Sequence, residues 1–306
     1  MAIPFHPLSL ADGPLIQEKV RPTESRNCDL NFMNLFSWRF LYETEVAFYK
    51  NWLLFRFKAN GHRAYMAPVG NGNWQGILAE LLDDAEAGGH PFLMLGVCEN
   101  TLTLLEQAMP DYFYATADRN FTDYLYQRDA LATFAGKKLQ SKRNFANRFA
   151  RLYPDFTYSA LTPADFDECL ELDTLWERQK AEAAETGLYT YRAEQRSLQH
   201  VFAHWQALGG QGGVLRVEGR IVAFTYGGSV NYDTFDVCAE KADTQFEGAY
   251  PTICREFVRR LPPQFTLINR EEDLGIEGLR KAKLSYNPHI LLHKFTVMTR
   301  HPMLRA

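Results

Sequence analysis

Runs of apolar residues with strand-like spacing alternate with helical stretches through the first half of the chain. Turn residues such as Asn60-Gly61 separate the strand-like runs. This pattern predicts strands over residues 46–49, 52–58, 63–67, 91–97, 112–117 and 124–127. Apolar residues with helical spacing predict helices over residues 9–20, 29–40, 73–87 and 101–109.

The second half repeats this order of elements. Ser9 and Thr162 each precede a carboxylate by three positions, at Asp12 and Asp165, which is typical of a helix start. Helices are predicted over residues 164–180, 192–208, 248–261 and 276–285. Strands are predicted over residues 213–217, 221–227, 234–240, 265–269 and 290–298.

This order predicts an α+β protein rather than a doubly wound one. Helices, an antiparallel run of strands and then strand–loop–helix–strand–helix–strand is the order of a GNAT-type acyltransferase domain. We therefore predict two tandem GNAT-like domains, 1–150 and 151–306, with mixed, mostly antiparallel sheets flanked by helices. A bridge over 130–152 is predicted to be one long helix that belongs to the first domain.

Composition and charge limit the partners, metal sites and cellular location that the sequence predicts. The 306 residues carry a formal net charge of -4, so nucleic acid or anionic lipid would have to meet a local basic patch. The five cysteines are scattered and the histidines show no ligand spacing, so no metal site is predicted. No signal peptide or transmembrane segment is expected, and the sequence predicts a soluble, cytoplasmic protein.

Two glycine loops partly match the donor-binding loop of GNAT enzymes, which presents backbone amides to a pyrophosphate. Gly70-Asn-Gly72 keeps both glycines but lacks the leading Gln or Arg. Gln245-Phe-Glu-Gly248 keeps Gln and the first glycine, but Tyr250 ends the pattern. Each loop is either a donor contact or simply a tight turn.

Basic residues are concentrated in the bridge, where no acid interrupts them. Lys138 and Lys142 are four residues apart and share a helical face. The pattern indicates contact with a polyanion such as a phosphate chain, and a solvated helix face is the alternative. The basic residues are Lys137, Lys138, Lys142, Arg143 and Arg148.

The last predicted helix is preceded by acids and ends in basic residues. This charge order complements the helix dipole, which is a structural reason for it. Glu272 and Asp273 also follow a strand, where a cleft is expected, and Tyr286 lies where many GNAT enzymes place a proton-donating tyrosine. The basic residues of this segment are Arg280, Lys281 and Lys283.

Three motifs together resemble one family. They are Asp123-Tyr-Leu-Tyr-Gln-Arg-Asp129, the bridge motif from Gly136 to Phe149, and the block from Glu272 to Pro288. They resemble the bacterial DUF2156 proteins, which are related to the C-terminal domain of phosphatidylglycerol lysyltransferase. The resemblance implies transfer of an aminoacyl group from aminoacyl-tRNA to a lipid hydroxyl or a peptide amine.

The first hypothesis is therefore an acyltransferase that uses aminoacyl-tRNA or an acyl-coenzyme A. Asp236 or Asp273 would orient or deprotonate an amine or hydroxyl acceptor on a peptide, small molecule or lipid headgroup, and Tyr286 would protonate the leaving group. The residues predicted to bind the donor are Lys138, Lys142, Arg143, Gly248, Arg280, Lys281 and Lys283. The alternatives are a non-catalytic protein that binds a phosphate ligand and a coenzyme A-dependent N-acetyltransferase.

Overall fold

The protein is described here from a computed structural model that covers residues 2–181 and 188–300. Within these residues the helices are α1 (Gly13–Val20), α2 (Phe32–Ser37), α3 (Arg39–Tyr42), α4 (Trp74–Ala87), α5 (Glu99–Ala108), α6 (Arg128–Thr133), α7 (Gln140–Leu152), α8 (Phe166–Ala181), α9 (Leu188–Ala203), α10 (Ala249–Arg260) and α11 (Glu277–Leu284). The strands are β1 (His6–Pro7), β2 (Glu45–Tyr49), β3 (Trp52–Ala59), β4 (His62–Tyr65), β5 (Val69–Gly70), β6 (Leu93–Val97), β7 (Phe113–Ala117), β8 (Asp123–Gln127), β9 (Thr157–Ala160), β10 (Gln211–Val217), β11 (Arg220–Ser229), β12 (Thr234–Ala242), β13 (Leu267–Asn269), β14 (Ile290–Leu292) and β15 (Phe295–Thr299).

The strands form two sheets with the same plan. The first sheet has the order β1-β2-β3-β4-β6-β15-β7, with β5 against β3, and the second has the order β9-β10-β11-β12-β13-β8-β14. In each sheet the fourth and fifth strands are parallel, whereas the other described pairs are antiparallel. The predicted α+β class, with two mostly antiparallel sheets flanked by helices, is confirmed.

The sixth position of each sheet is filled by a strand from the other half of the chain. Strand β15, near the carboxyl end, lies between β6 and β7, and β8 from the first half lies between β13 and β14. The sheets therefore do not divide at residue 150. That 1–150 and 151–306 are separate domains stays a prediction, but each segment supplies a strand to the other segment's sheet.

Helices from both halves share the space between the sheets. One core cluster joins Ile16 and Phe32, from α1 and α2, to Leu198 and Phe202 of α9 and Phe224 of β11. A second cluster packs α4 on the outer face of the first sheet, and a third packs α6 and α10 on the second sheet. The two halves are thus joined by a continuous apolar layer as well as by exchanged strands.

Two predicted elements are corrected. The bridge is two helices, α6 and α7, because Phe134 turns into the left-handed region at φ 49° and buries its ring, and Gly136 follows at φ 81°. The predicted strand over 290–298 is also two strands, β14 and β15. They belong to different sheets, and His293 and Lys294 cross between them.

In the second sheet, the parallel strands β12 and β13 pair over only three residues. Thr234 to Asp236 pair with Leu267 to Asn269, and beyond this register β12 continues to Ala242. Cys238 is the extra residue of a β-bulge, since Tyr226 pairs with Ala239 and the next pair joins Gly227 to Val237. The bulge turns Glu240 to the face of β12 opposite to that of Asp236.

Candidate functional site

A buried ionic cluster lies where the chain crosses between the sheets. Lys294, only 4% exposed, places its Nζ 2.8 Å from Asp123 Oδ1 and 3.2 Å from Asp29 Oδ1, and it also pairs with Glu272. The Cys28 thiol is 3.4 Å from the same nitrogen. Burial raises the pKa of Asp123 to about 6 although Lys294 opposes this rise. The Lys294 ammonium thus forms ion pairs with three carboxylates, those of Asp29, Asp123 and Glu272.

A second acidic group, which we call the carboxylate pocket, consists of Asp236, Cys238 and Glu271. Asn31 caps α2 with its side-chain oxygen, which leaves its Nδ2 to donate to Asp236 Oδ2 at 3.0 Å. Asn34 Nδ2 donates to Asp236 Oδ2 at 3.0 Å and to Glu271 Oε1 at 2.8 Å. Burial raises the pKa values of Asp236 and Glu271 well above their ordinary range.

On the other face of β12, the cationic side chains of Lys142 and Arg270 contact the ring of Tyr286. Arg270 Nη2 pairs with Glu240 Oε1 at 2.7 Å across the gap between the parallel strands. The Arg270 guanidinium lies 4.5 Å from the centre of the Tyr286 ring, and Lys142 Nζ lies 4.1 Å from it. Burial, together with the charge of Arg270, lowers the pKa of Lys142. We call Lys142, Glu240, Arg270 and Tyr286 the cationic shelf.

An open groove of about 850 Å³ runs along α7. Four of its basic residues and the ring of Phe145, which is 42% exposed, face solvent. Lys142 belongs to the same helix and reaches inward to the shelf. The groove is lined by Lys137, Lys138, Gln140, Ser141, Asn144, Phe145, Asn147, Arg148 and Arg151. The arrangement suits a phosphate chain with a stacked base.

The predicted acid Asp273 is held by neighbouring groups. Its carboxylate accepts from Arg280 at 2.8 Å, from Arg119 at 3.1 Å and from the Tyr124 hydroxyl at 2.6 Å. Burial by itself raises the pKa of Asp273, but the hydrogen bonds from Arg280 and Tyr124 outweigh it and lower that pKa. Such a carboxylate is a weak base, and its pairing occupies the Arg280 guanidinium, so the catalytic role of Asp273 and the donor contact of Arg280 stay predictions.

The predicted donor contact at Gly248 stays a prediction, and the structure shows what packs against it. Gly248 has φ 90°, and a Cβ there would lie 2.4 Å from the backbone oxygen of Phe145. Helix α7 therefore covers the loop that GNAT enzymes use for pyrophosphate. Arg143 faces inward and donates to the backbone oxygens of Phe134 and Gly136, so it fixes the turn before α7.

The remaining predicted residues divide by position. Lys142 and Tyr286 lie together in the shelf, and Lys138 lines the groove above it. Lys283 donates to the backbone oxygens of Arg270 and Glu272, and it thereby positions the loop after β13. Lys281 is exposed on α11, away from these contacts.

The sequence did not single out several residues of the site. Lys294, Asn31, Asn34 and Glu240 carry no local motif, and their partners are distant in the chain. One signal was present for Asn31 and Asn27, because asparagine directly before a helix is a common cap. The side chains of caps lie at helix ends, where they can also reach a cleft.

The parallel pair of the first sheet encloses a smaller pocket of about 150 Å³. The Gly70 loop, Asn27 and Gly96 line it together with apolar side chains. This volume holds a ligand of roughly the size of benzene.

Comparison with known proteins gives the family. A family model described as phosphatidylglycerol lysyltransferase, C-terminal, matches residues 20–298. An uncharacterised protein of Mycoplasmoides gallisepticum is 24% identical over 196 residues, and the match spans 63% of this chain but only 61% of that protein. Within the described residues, no helix has the length and apolar character needed to cross a membrane.

Solved structures give the fold. A conserved protein of unknown function from Bacteroides thetaiotaomicron is 47% identical, with a TM-score of 0.94 over 97% of this chain and 100% of that one. The C-terminal domain (DUF2156) of a lysylphosphatidylglycerol synthetase from Agrobacterium fabrum has 15% identity and a TM-score of 0.66 over 95% and 92%. A tandem GNAT protein of the clavulanic acid pathway has 10% identity and a TM-score of 0.50 over 99% and 100%.

These matches confirm the predicted resemblance and the tandem GNAT-like fold. The family and the fold together indicate an acyltransferase. Since the family model covers most of the sequence, this chain belongs to the phosphatidylglycerol lysyltransferase C-terminal family, DUF2156.

Proposed function

We propose that this protein transfers an aminoacyl group from aminoacyl-tRNA to an amine or hydroxyl acceptor. The observation that carries the proposal is the position of α7, which covers the Gly248 loop and offers a basic groove in its place. A coenzyme A pyrophosphate approaching that loop would meet the packed backbone of α7, whereas a phosphate chain along α7 has four exposed cations to contact, of which Arg148 also pairs with Glu247. A polynucleotide donor fits this surface better than a compact nucleotide.

The groove suits the 3′ strand of a tRNA, and the cationic shelf suits the terminal phosphate of that strand. The 3′ strand of a tRNA would lie along α7 with a base on Phe145, because exposed aromatic rings bind single-stranded bases by stacking. Lys142 and Arg270 would receive a terminal phosphate where the strand enters the gap beside β12. The name of the Agrobacterium relative supports a lysyl group as the aminoacyl part.

The reaction breaks one ester bond and forms one amide or ester bond. The acceptor nitrogen or oxygen attacks the ester carbonyl, its proton passes to a base, and the 3′-oxygen of the donor leaves with a proton. Glu240 is our candidate base, since burial raises its pKa although Arg270 opposes this. Tyr286 is the candidate proton donor, because burial raises its pKa and keeps it protonated beside Lys142.

Binding of charged tRNA tests the donor. Wild-type protein should bind aminoacyl-tRNA with an affinity that falls as salt is added, and Lys142→Ala should lower the salt slope by about one. Lys58→Ala makes the same charge change on β3, where Lys58 pairs with Glu43, and serves as the matched control. Equal binding by the two variants would remove Lys142 and the cationic shelf from the proposed donor site.

Transfer tests the chemistry. With charged tRNA and phosphatidylglycerol or a peptide amine as acceptor, Glu240→Gln should lower the transfer rate about 100-fold or more while tRNA binding is retained. Tight tRNA binding without any transfer or donor hydrolysis would favour the non-catalytic binding protein. Transfer from acetyl-coenzyme A, but not from charged tRNA, would favour the N-acetyltransferase.

A further inference from the structure

Two groups, each of one cysteine, one aspartate and one glutamate, lie near the strand exchange, and in each the ligand atoms are within 4.8 Å of one another. In the group of Cys28, Asp123 and Glu272, the ammonium of Lys294 already contacts all three side chains. That group therefore contains a cation supplied by the chain itself.

The carboxylate pocket has the same composition without such a cation. Among the side chains that the structure describes, those of residues 2–176 and 192–300, no Lys or Arg forms an ion pair with Asp236 or Glu271. Asp236 is fully buried, and its Oδ1 has no hydrogen-bond partner in the described part of the chain. The buried carboxyl of Asp236 and the half-buried Glu271 and Cys238 thus face one another with amide donors between them. Lys283 and Lys294 attract the two carboxylates only from outside the group, without an ion pair.

The spacing of these atoms fits the coordination shell of a metal ion. Cys238 Sγ lies 3.7 Å from Asp236 Oδ2, and the Asn34 amide nitrogen lies 2.8 Å and 3.0 Å from the two carboxylates. Metal–sulfur bonds of about 2.3 Å and metal–oxygen bonds of about 2.0–2.2 Å place neighbouring ligands roughly 3–3.7 Å apart. A half-turn of the Asn34 amide brings its oxygen to the position of its nitrogen.

We propose that Asp236, Cys238 and Glu271 bind a divalent transition-metal ion of the zinc class, with the Asn34 amide oxygen as a fourth ligand. The thiolate selects such an ion over magnesium or calcium, which require oxygen ligands. Cys238 and Glu271 are half-buried, which gives the ion a way in. The ion would tie α2 to β12 and to the loop after β13.

This inference goes beyond the proposed transfer reaction and does not depend on it. The pocket lies on the α2 face of β12, whereas the cationic shelf lies on the other face. Metal binding is also measured without tRNA or acceptor. A failure of one proposal therefore leaves the other intact.

Cobalt titration of the full chain, stripped with a chelator, tests the site. Wild-type protein should develop a near-ultraviolet thiolate-to-cobalt band that saturates at one ion per chain and is lost when zinc is added. Cys238→Ser should abolish the band, whereas Cys169→Ser, at a buried thiol of α8, should leave it unchanged. Glu271→Gln should weaken cobalt binding by about 10-fold or more.

Three results would overturn the proposal. The first is no cobalt band in the wild-type protein, and the second is a band that survives in Cys238→Ser. The third is thermal stabilisation by methylammonium without a cobalt band, which would assign the pocket to an amine. Glu271→Gln provides a variant at a half-buried ligand, so the test needs no substitution at the fully buried Asp236.

Discussion

At the scale of single residues, the balance of buried charge is the main feature. Lys294 serves Asp29, Asp123 and Glu272 at once, and burial of a charge is costly unless partners surround it. The contacts with these carboxylates outweigh burial and raise the pKa of Lys294 well above its ordinary value. The lysine therefore stays charged, and its removal would leave the carboxylates to repel one another.

Replacing Lys294 should accordingly destabilise the protein. Lys294→Met is expected to lower the free energy of unfolding by about 3–5 kcal/mol at neutral pH, because it leaves buried carboxylates unpaired. The loss should be smaller in acid, where Asp123, with a pKa of about 6, takes up a proton. Urea unfolding of Lys294→Met and of the control Lys58→Met measures the loss of unfolding free energy. Equal losses in the two variants would contradict the expectation.

The titration of Asp236 gives a prediction with a definite sign. Burial raises its pKa from the ordinary 3.8, so the folded protein holds a proton that the unfolded chain has lost. The contribution of Asp236 to stability is therefore full below that ordinary pKa and is lost as the pH rises through the folded-state pKa.

Asp236→Asn should remove the pH dependence of stability that comes from the Asp236 carboxyl group. In the presence of a chelator, the variant should gain stability relative to the wild type between about pH 5 and about pH 8, by about 1.4 kcal/mol for each pKa unit of the shift that falls in this range. Unfolding free energies at the two pH values measure the change. A constant difference between variant and wild type would show that the buried carboxyl does not titrate as described.

At the scale of elements, α7 combines two tasks on its two faces. Phe149 and Ala146 are buried against the second sheet, whereas Phe145 of α7 and Lys138, two residues before the helix begins, face the groove. The sequence predicted the basic character of this segment but not its break, because the buried ring of Phe134 determines where the chain turns.

Alanine substitutions at Arg143 and Lys142 should affect stability and tRNA binding differently. Arg143→Ala is expected to cost about 1.5–3 kcal/mol of stability, since its guanidinium satisfies the backbone oxygens of Phe134 and Gly136. Lys142→Ala should cost much less stability but more tRNA affinity. Thermal unfolding and tRNA binding, measured on both variants, test the assignment, and the reverse ranking would contradict it.

Local patterns predicted those parts of the structure that local forces determine. Helix α4 was predicted over 73–87 and runs over Trp74–Ala87, because its cap at Asn73 and its apolar spacing lie within the segment itself. Lys142 and Tyr286 were predicted separately, although their contact was not. Asp236 was predicted only as a single candidate base, and Lys294 was not predicted. Their grouping could not be read from local sequence, since contacts such as that between Asn31 and Asp236 join distant parts of the chain.

At the scale of the whole molecule, the exchanged strands tie the two halves together. Strand β8 has β13 and β14 as neighbours, and β15 has β6 and β7. A shared apolar layer adds to this connection. We therefore expect one cooperative unfolding transition for the chain, although its length would allow two domains.

Separate expression of 1–150 and 151–306 tests this expectation. The first fragment lacks β15 and carries β8 without its partners, and the second has the reverse defect. Neither fragment should unfold cooperatively alone, whereas co-expressed fragments should associate into one folded complex. Circular dichroism and size-exclusion chromatography measure both outcomes; a sharp transition in either fragment alone would instead support independent domains.

The place of β15 also sets the timing of folding during synthesis. Its residues, Phe295–Thr299, are synthesised after the other described strands, yet they close the seam between β6 and β7. From the synthesis of β7 until that of β15, the nascent chain therefore has unpaired edges on β6 and β7, and such edges are sites of aggregation. The amino-terminal sheet, although made first, is therefore completed last.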